Sequence, residues 1–117
     1  MMSAEFLPIS DMTGTVKSRE VQRAILAEMA GDSSGAARHF LAAAHLELVL
    51  AEDYAAVGAS DRALRSRISA ASCFWRAGET VRARSEFDAL SQAHSANGAE
   101  IQRIVAELER DYSAKAS

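Results

Sequence analysis

The sequence predicts an all-α protein, built from antiparallel helical hairpins with about five helices in total. Alanine, the residue with the highest helix propensity, is abundant, and the chain has a single proline. Apolar residues recur at intervals of three and four, which is the period of one face of an α-helix. Gly31, Gly58 and Gly78 interrupt this pattern and so mark the ends of successive helices. A chain of 117 residues is close to the usual size of one domain.

The two ends of the chain are expected to lie outside this domain. Residues 1–14 are predicted to form a flexible N-terminal arm, because Pro8 and Gly14 interrupt helices. Residues 15–113 then form a single helical domain, and residues 114–117 a disordered tail. We expect the arm to dock as a strap over a groove of its own chain, the alternative being a neighbouring subunit. Its three large apolar residues are Phe6, Leu7 and Ile9.

The first two helices are predicted on either side of Gly31. The first begins at Thr15 or Ser18, either of which can cap a helix. The second extends from about Gly35 to Val57 and is apolar nearly all round, so it belongs at the centre of the fold, with the first helix on one side and the third on another. The apolar face of the first helix is expected to contain Val21, Ala24, Ile25 and Met29.

Three more helices are predicted after Gly58. The third covers residues 61–77, and the fourth follows Gly78. The fifth begins near Asn97 and has a single apolar stripe, as expected for a helix that covers the end of a stack. The mutually packed core of the whole domain is expected to contain Ala36, Phe40, Leu48, Ile68, Ala71, Phe74, Ala83 and Phe87.

The charge of the chain is unevenly distributed. The formal net charge of −3 argues against a general binder of nucleic acids or membrane surfaces. From Arg62 to Arg84, however, six arginines outnumber a single acid, Glu79, which gives a local net charge of +5. Arginine pairs with carboxylates and phosphates through two parallel N–H groups. These arginines therefore either bind an acidic partner or pair with the acidic helices of their own chain.

No pattern in the chain is typical of an enzyme or of a metal site. His39, His45 and His94 are scattered, without the spacing of metal ligands. The single cysteine, Cys73, fits a reducing compartment and is expected to be buried as a small apolar residue. The N-terminal residues lack the basic leader and the uninterrupted apolar run of a signal peptide, so none is expected, and no run of roughly 20 apolar residues is present. We therefore expect a cytoplasmic protein that is not an enzyme, with no cofactor, no metal and no membrane partner.

The third and fourth helices share residues with a known repeat. The series Phe74, Gly78, Ala83 and Phe87 resembles the tetratricopeptide repeat, a helical hairpin of about 34 residues. Arg67 stands where that family has a tryptophan. The resemblance implies a short right-handed array of two stacked hairpins and a final helix. Part of the series occurs 47 residues earlier as Gly31, Ala36, Phe40 and Ala43.

The resemblance also implies a partner-binding groove, lined by the first helix of each hairpin. Trp75 lies beside Phe74, and only one of two adjacent aromatic side chains can face the core fully, so an exposed Trp75 flanked by arginine is a typical interface anchor. The alternative is that Trp75 packs against the terminal helix and Arg76 pairs with an acid. The expected function is an interaction module, an adaptor or scaffold, that binds a protein or an acidic peptide. The residues assigned to the partner are Arg65, Ile68, Ser72, Trp75 and Arg76.

Two other functions stay open. Residues 50–68 have the pattern of a helix-turn-helix DNA-binding regulator, with Gly58 in a tight turn and Arg62 and Arg65 on the recognition helix. Tyr54, which stands where a small residue is needed, argues against it, so a nucleic acid partner is not expected. A purely structural homodimer that uses the arm and the alanine-rich second helix is compatible with the interaction module.

Overall fold

The fold consists of helices throughout the part of the chain that is described. The computed structural model describes the backbone of residues 2–116 and the side chains of residues 12–112. Within this range there is no β-strand, so the predicted all-α class is confirmed. The helices are α1 (Met2–Met29), α2 (Ser33–Ala56), α3 (Ser60–Arg76), α4 (Thr80–Ala93) and α5 (Gly98–Ala116), with one turn of 3-10 helix at Ser95–Asn97.

The connections within and between the hairpins are short because glycines close the helices. Gly31, Gly58 and Gly78 follow α1, α2 and α3, as predicted. At Gly78 the backbone adopts φ of 88°, a left-handed conformation that costs glycine nothing. The chain then turns sharply enough for the Glu79 amide to donate to the Phe74 carbonyl at 2.8 Å. The sequence therefore predicts these helix ends correctly.

Helix α2 occupies the centre of the stack, as its apolar circumference predicts. It packs against α1 on one side and against α3 on another, while α3 also contacts α4 and α5. Within the described part of the chain, the backbone of α1 lies close to that of α2 alone. The order of packing therefore follows the order of the chain, with α1 at one end and α4 and α5 at the other.

The predicted core is confirmed. Phe40, Phe74 and Phe87 are almost fully buried and supply its bulk. Alanines beside them allow the helix backbones to approach closely, since a methyl group takes little space between two helices. Leu48 is half-buried and packs against the core from its edge. The other predicted members of this cluster are Ala36, Ile68, Ala71 and Ala83.

The first helix departs from the prediction in two respects. It begins at Met2, so Thr15 and Ser18 lie inside it; a capping side chain permits a helix to start but does not force it to. Its predicted apolar face is also split: Val21 and Ala24 pack in or against the core, as predicted, but Ile25 and Met29 are exposed. The division into arm, domain and tail stays a prediction. The proposed strap concerns side chains outside those described, namely Phe6, Leu7 and Ile9.

A carboxylate is buried where α1, α2 and α3 meet. Glu47 of α2 lies with Oε2 3.7 Å from Nζ of Lys17 on α1. The hydroxyls of Ser66 and Ser69 on α3 also hydrogen-bond to it. Burial raises the pKa of Glu47, although Lys17 and the two hydroxyls act in the opposite direction. Glu47 therefore connects three helices, but its charged form is less stable there than it is in water.

Glu47→Gln is expected to gain stability relative to the wild type as the pH rises. A carboxyl whose pKa is higher in the folded state holds its proton more tightly there, so the wild-type free energy of unfolding falls as pH rises from the unfolded-state pKa through the folded-state pKa. Glutamine does not titrate. Urea unfolding of both proteins between about pH 4 and pH 8 measures the difference. Glu52→Gln, exposed on the same helix, is the control, and a difference for Glu47→Gln that does not change with pH would contradict the expectation.

Candidate functional site

A cleft of about 690 Å³ opens between α1, α3 and α5. The helices that line it are the first helix of each hairpin and the terminal helix. Ser72 and Arg76, two of the five residues assigned to a partner, lie in it. Helix α1 contributes Glu28. The lining from α5 consists of Ile104, Glu107, Leu108, Arg110, Asp111 and Tyr112.

Arg76 is held in a fixed orientation by its neighbours. Its Nε donates a hydrogen bond of 2.6 Å to the Tyr112 hydroxyl, which donates in turn to Oε2 of Glu28 at 3.1 Å. The guanidinium carbon lies 4.3 Å from the ring centroid of Phe40 and 5.8 Å from that of Tyr112, both within the range of cation–π attraction. Burial raises the pKa of the Tyr112 hydroxyl, so it stays protonated and can donate. The three helices around the cleft are therefore joined through one guanidinium and one phenol.

Most of the donors of Arg76 are not used by the protein. A guanidinium has five N–H groups. Within residues 12–112, Arg76 makes one hydrogen bond, from Nε, and its side chain is half-buried at the cleft. The four N–H groups on its Nη atoms therefore remain for water or a ligand. Two of them lie in the geometry that matches the two oxygens of a carboxylate.

The interpretation of Trp75 as an exposed anchor is wrong. Trp75 is only 4% exposed and belongs to the core, and the guanidinium carbon of Arg84 lies 4.6 Å from its ring centroid. Arg84 also pairs with Glu109 of α5 at 2.9 Å. Adjacent aromatic side chains can both be buried here because α3 has neighbouring helices on several sides. The alternative, in which Trp75 packs inward, is therefore the correct one.

Ile68 and Arg65 also lie outside the lining of the cleft. Ile68 is a core residue with 6% exposure. Nη1 of Arg65 donates to both carboxylate oxygens of Glu100, each at 2.8 Å, and this hydrogen bond lowers the pKa of Glu100. Because Glu100 belongs to the first turn of α5, the pair connects α3 with α5. Of the five assigned residues, the structure thus brings only Ser72 and Arg76 to the cleft.

The arginines of residues 62–84 pair mostly within the chain. Besides Arg65, Arg76 and Arg84, the guanidinium of Arg82 covers the Phe74 ring at 4.0 Å, and that of Arg62 lies 5.9 Å from the Tyr54 ring. Pairing with acids of the same chain, one of the two alternatives considered for these side chains, is thus the outcome for Arg65 and Arg84, whereas Arg62, Arg76 and Arg82 contact aromatic side chains. Arg62 and Arg65, which a helix-turn-helix would need for contacts with DNA, contact Tyr54 and Glu100 of the protein itself.

Sequence reasoning missed Glu28 and Tyr112. Tyr112 lies 36 residues from Arg76 and 84 from Glu28, so no local pattern connects them. One signal was available, since a tyrosine at the end of an aliphatic stripe needs a hydrogen-bond partner for its hydroxyl when buried. That signal predicts a partner but does not identify it.

Three further properties bear on possible chemistry. Burial raises the pKa of the Cys73 thiol to about 11, so it is protonated at neutral pH and is a weak nucleophile. Among the side chains of residues 12–112, no group of three His, Cys, Asp or Glu could hold a metal ion. None of the helices in the described part of the chain has the length and apolar character to cross a bilayer.

Comparison with known proteins adds no relative: no family model, curated protein or solved structure matches the chain. The relation to tetratricopeptide repeats therefore stays a hypothesis.

Proposed function

We propose that the chain is a non-enzymatic interaction module, a tetratricopeptide-like adaptor or scaffold, that binds a carboxylate-bearing peptide in the cleft between α1, α3 and α5. The observation that carries the proposal is the state of Arg76. Its guanidinium is oriented by Tyr112 and Phe40, and four N–H groups are left for a ligand. A group held in its binding orientation before the ligand arrives loses less conformational entropy on binding.

The other residues of the cleft indicate how much charge and how much apolar surface the bound peptide should have. Ile104 offers half-buried apolar surface beside Arg76, whereas Leu108, which also lines the cleft, is buried in the core. The lining has three acids, Glu28, Glu107 and Asp111, against two arginines, Arg76 and Arg110, so a peptide with several carboxylates would be repelled. An apolar peptide with one carboxylate, from its C-terminus or from a single acidic residue, fits the cleft best. Because a single cysteine cannot form an internal disulfide, a reducing compartment suits this module, and we assign it to the cytoplasm.

Arg76→Gln is expected to weaken the binding of such a peptide by about tenfold to a hundredfold, the usual effect of removing hydrogen bonds to a charged group. The probe is a set of synthetic apolar peptides, each prepared with a free C-terminal carboxylate and as its amide. Wild-type protein should prefer the carboxylate form, and Arg76→Gln should lose that preference. Fluorescence anisotropy measures the dissociation constant of each peptide for each protein. Arg76→Lys keeps the positive charge but lacks the planar guanidinium. Its preference for the carboxylate peptide should lie between those of the wild type and Arg76→Gln.

Arg67→Gln is the matched control. Arg67 is exposed on α3, about two and a half turns from Arg76 and therefore on the opposite side of the helix. This variant should bind like the wild type. If wild-type protein binds the carboxylate and amide peptides equally, Arg76 does not recognise a carboxylate. The same conclusion follows if Arg67→Gln loses as much affinity for the carboxylate peptide as Arg76→Gln does.

A further inference from the structure

Between residues 12 and 29, helix α1 turns most of its large apolar side chains away from the protein. Of the residues that face α2, Ala24 is buried, while Lys17 and Glu20 form polar contacts with Glu47 and His39. The large apolar side chains on the other side are far more exposed, with 67% for Met12, 64% for Leu26 and 79% for Met29. An ordinary surface helix shows the reverse arrangement, with its apolar stripe toward the core.

Five exposed residues of α1 form a seam of the coiled-coil type. Their spacing along the chain is four, three, four and three residues, which averages the 3.5 of a heptad repeat. Each is exposed in the structure, and together they cover about four turns of the helix. We call this set the outer seam; it consists of Met12, Val16, Arg19, Arg23 and Leu26.

The described part of the protein leaves the outer seam uncovered. Among the described residues the backbone of α1 approaches only α2, and the side chains that face α2, such as Lys17 and Ala24, lie roughly 120° around the helix from the seam. At the other end of the stack, the exposed residues of α5 include Gln102, Arg103 and Glu107, a polar outer face. Helical stacks end in such polar faces when nothing further binds. The outer seam, with apolar residues at both ends, departs from that rule.

We propose that the outer seam binds an acidic amphipathic helix of a partner protein, which lies along α1 as in a two-stranded coiled coil. The positive charge of the seam favours a partner helix with negative charge at the matching positions. The seam is apolar at its ends and carries Arg19 and Arg23 at its middle, without an acidic residue among its members. Arg19 makes no ion pair among the described residues, and Arg23 pairs only with Glu20 of its own helix at 3.1 Å. The complementary helix carries two carboxylates between apolar residues.

A second copy of the chain fits the outer seam less well. In an antiparallel pair the centre of the seam, Arg19, would face Arg19 of the other copy, with both Arg23 side chains nearby. In a parallel pair, each arginine would oppose its equivalent. Like charges placed opposite each other at an interface are repulsive and exclude such partners.

The outer seam and the cleft are independent surfaces. They share no residue, and Glu28, the residue that α1 gives to the cleft, faces Tyr112 rather than the seam. If no peptide binds at Arg76, the inference about the outer seam is unaffected. If no helix binds the outer seam, the proposal for the cleft is likewise unaffected.

The test uses three synthetic helical peptides of three heptads each, which differ only at the positions that face the seam. The first has leucine at the ends and glutamate at the two central positions, the second has lysine in place of glutamate, and the third has alanine in place of leucine. Isothermal titration with the full chain should show the glutamate peptide binding about tenfold or more tightly than either of the others. Arg19→Glu/Arg23→Glu should reverse the preference, so that the lysine peptide binds more tightly.

The controls separate the seam from general charge. Arg38→Glu/Arg67→Glu has the same change in charge at two exposed arginines outside the seam and should keep the wild-type preference. Circular dichroism confirms that each variant is folded. No binding of the glutamate peptide, or no reversal in Arg19→Glu/Arg23→Glu, overturns the proposal. So does a wild-type dimer in sedimentation at micromolar concentration that Leu26→Glu dissociates, since a second copy would then occupy the seam.

Discussion

Phe87→Ala is expected to lower the free energy of unfolding by about 3–5 kcal/mol, the cost of removing a buried phenyl ring and leaving a cavity. Phe87 belongs to α4, is 2% exposed, and packs in the core cluster with residues of α3 and α5. Its neighbours cannot fill the space, because the backbones of α3 and α4 are held by a short turn at Gly78. Urea unfolding at constant m-value measures the loss.

Val81→Ala on the same helix is the control for this substitution. Val81 is 84% exposed, so its truncation removes little buried surface and should change stability by no more than about 0.5 kcal/mol. A loss below about 1 kcal/mol for Phe87→Ala would contradict the position of Phe87 in the core. It would also contradict the hairpin formed by α3 and α4, which depends on that position.

The core was predictable because its signal is local. Phe40, Phe74 and Phe87 each lie in a run of apolar residues with helical spacing, and the small residues beside them mark the faces where helices meet. The ends of α2 and α3 were predictable for the same reason, since a left-handed residue after a helix is most often a glycine. These features need no knowledge of which helices pack together.

The cleft was only partly predictable because it is made by tertiary contacts. The repeat resemblance placed Ser72 and Arg76 on the lining helix, and both are there. The environment of Arg76 depends on Tyr112 and Glu28, and these come from the last and the first helix of the fold. The sequence shows which face of a helix is polar, but it does not show which distant side chain meets that face.

Two errors have a common physical cause, which is that burial depends on the neighbours of a helix as well as on its own pattern. The argument about Trp75 assumed one buried face for α3, whereas α2, α4 and α5 all contact it. The prediction for Met29 assumed that the whole apolar set of α1 faces α2, but that side is filled by Val21, Ala24 and polar side chains, and Met29 lies outside it. Glu47 shows the same effect, since a single acid in an apolar stretch is buried by helices on both sides.

Trp75→Ala is expected to lower the free energy of unfolding by about 3–5 kcal/mol, as large an effect as that of Phe87→Ala. The indole is 4% exposed, is covered by the Arg84 guanidinium, and lies in one cluster with Ile101 and Leu108 of α5. Its removal would leave a cavity and would remove the surface on which Arg84 stacks. Arg84 in turn pairs with Glu109, so the contact of α5 with α3 and α4 should weaken as well.

The comparison of stability with binding distinguishes a packing role of Trp75 from the anchor role that the sequence suggested. Val57→Ala, exposed at the end of α2, is the control and should change stability by no more than about 0.5 kcal/mol. Trp75→Phe should recover part of the loss, because most of the apolar volume is restored. An anchor would give the opposite result, with nearly wild-type urea unfolding and a strong loss of peptide binding. That outcome would place the indole at the surface and would contradict the packing of α5 against α3.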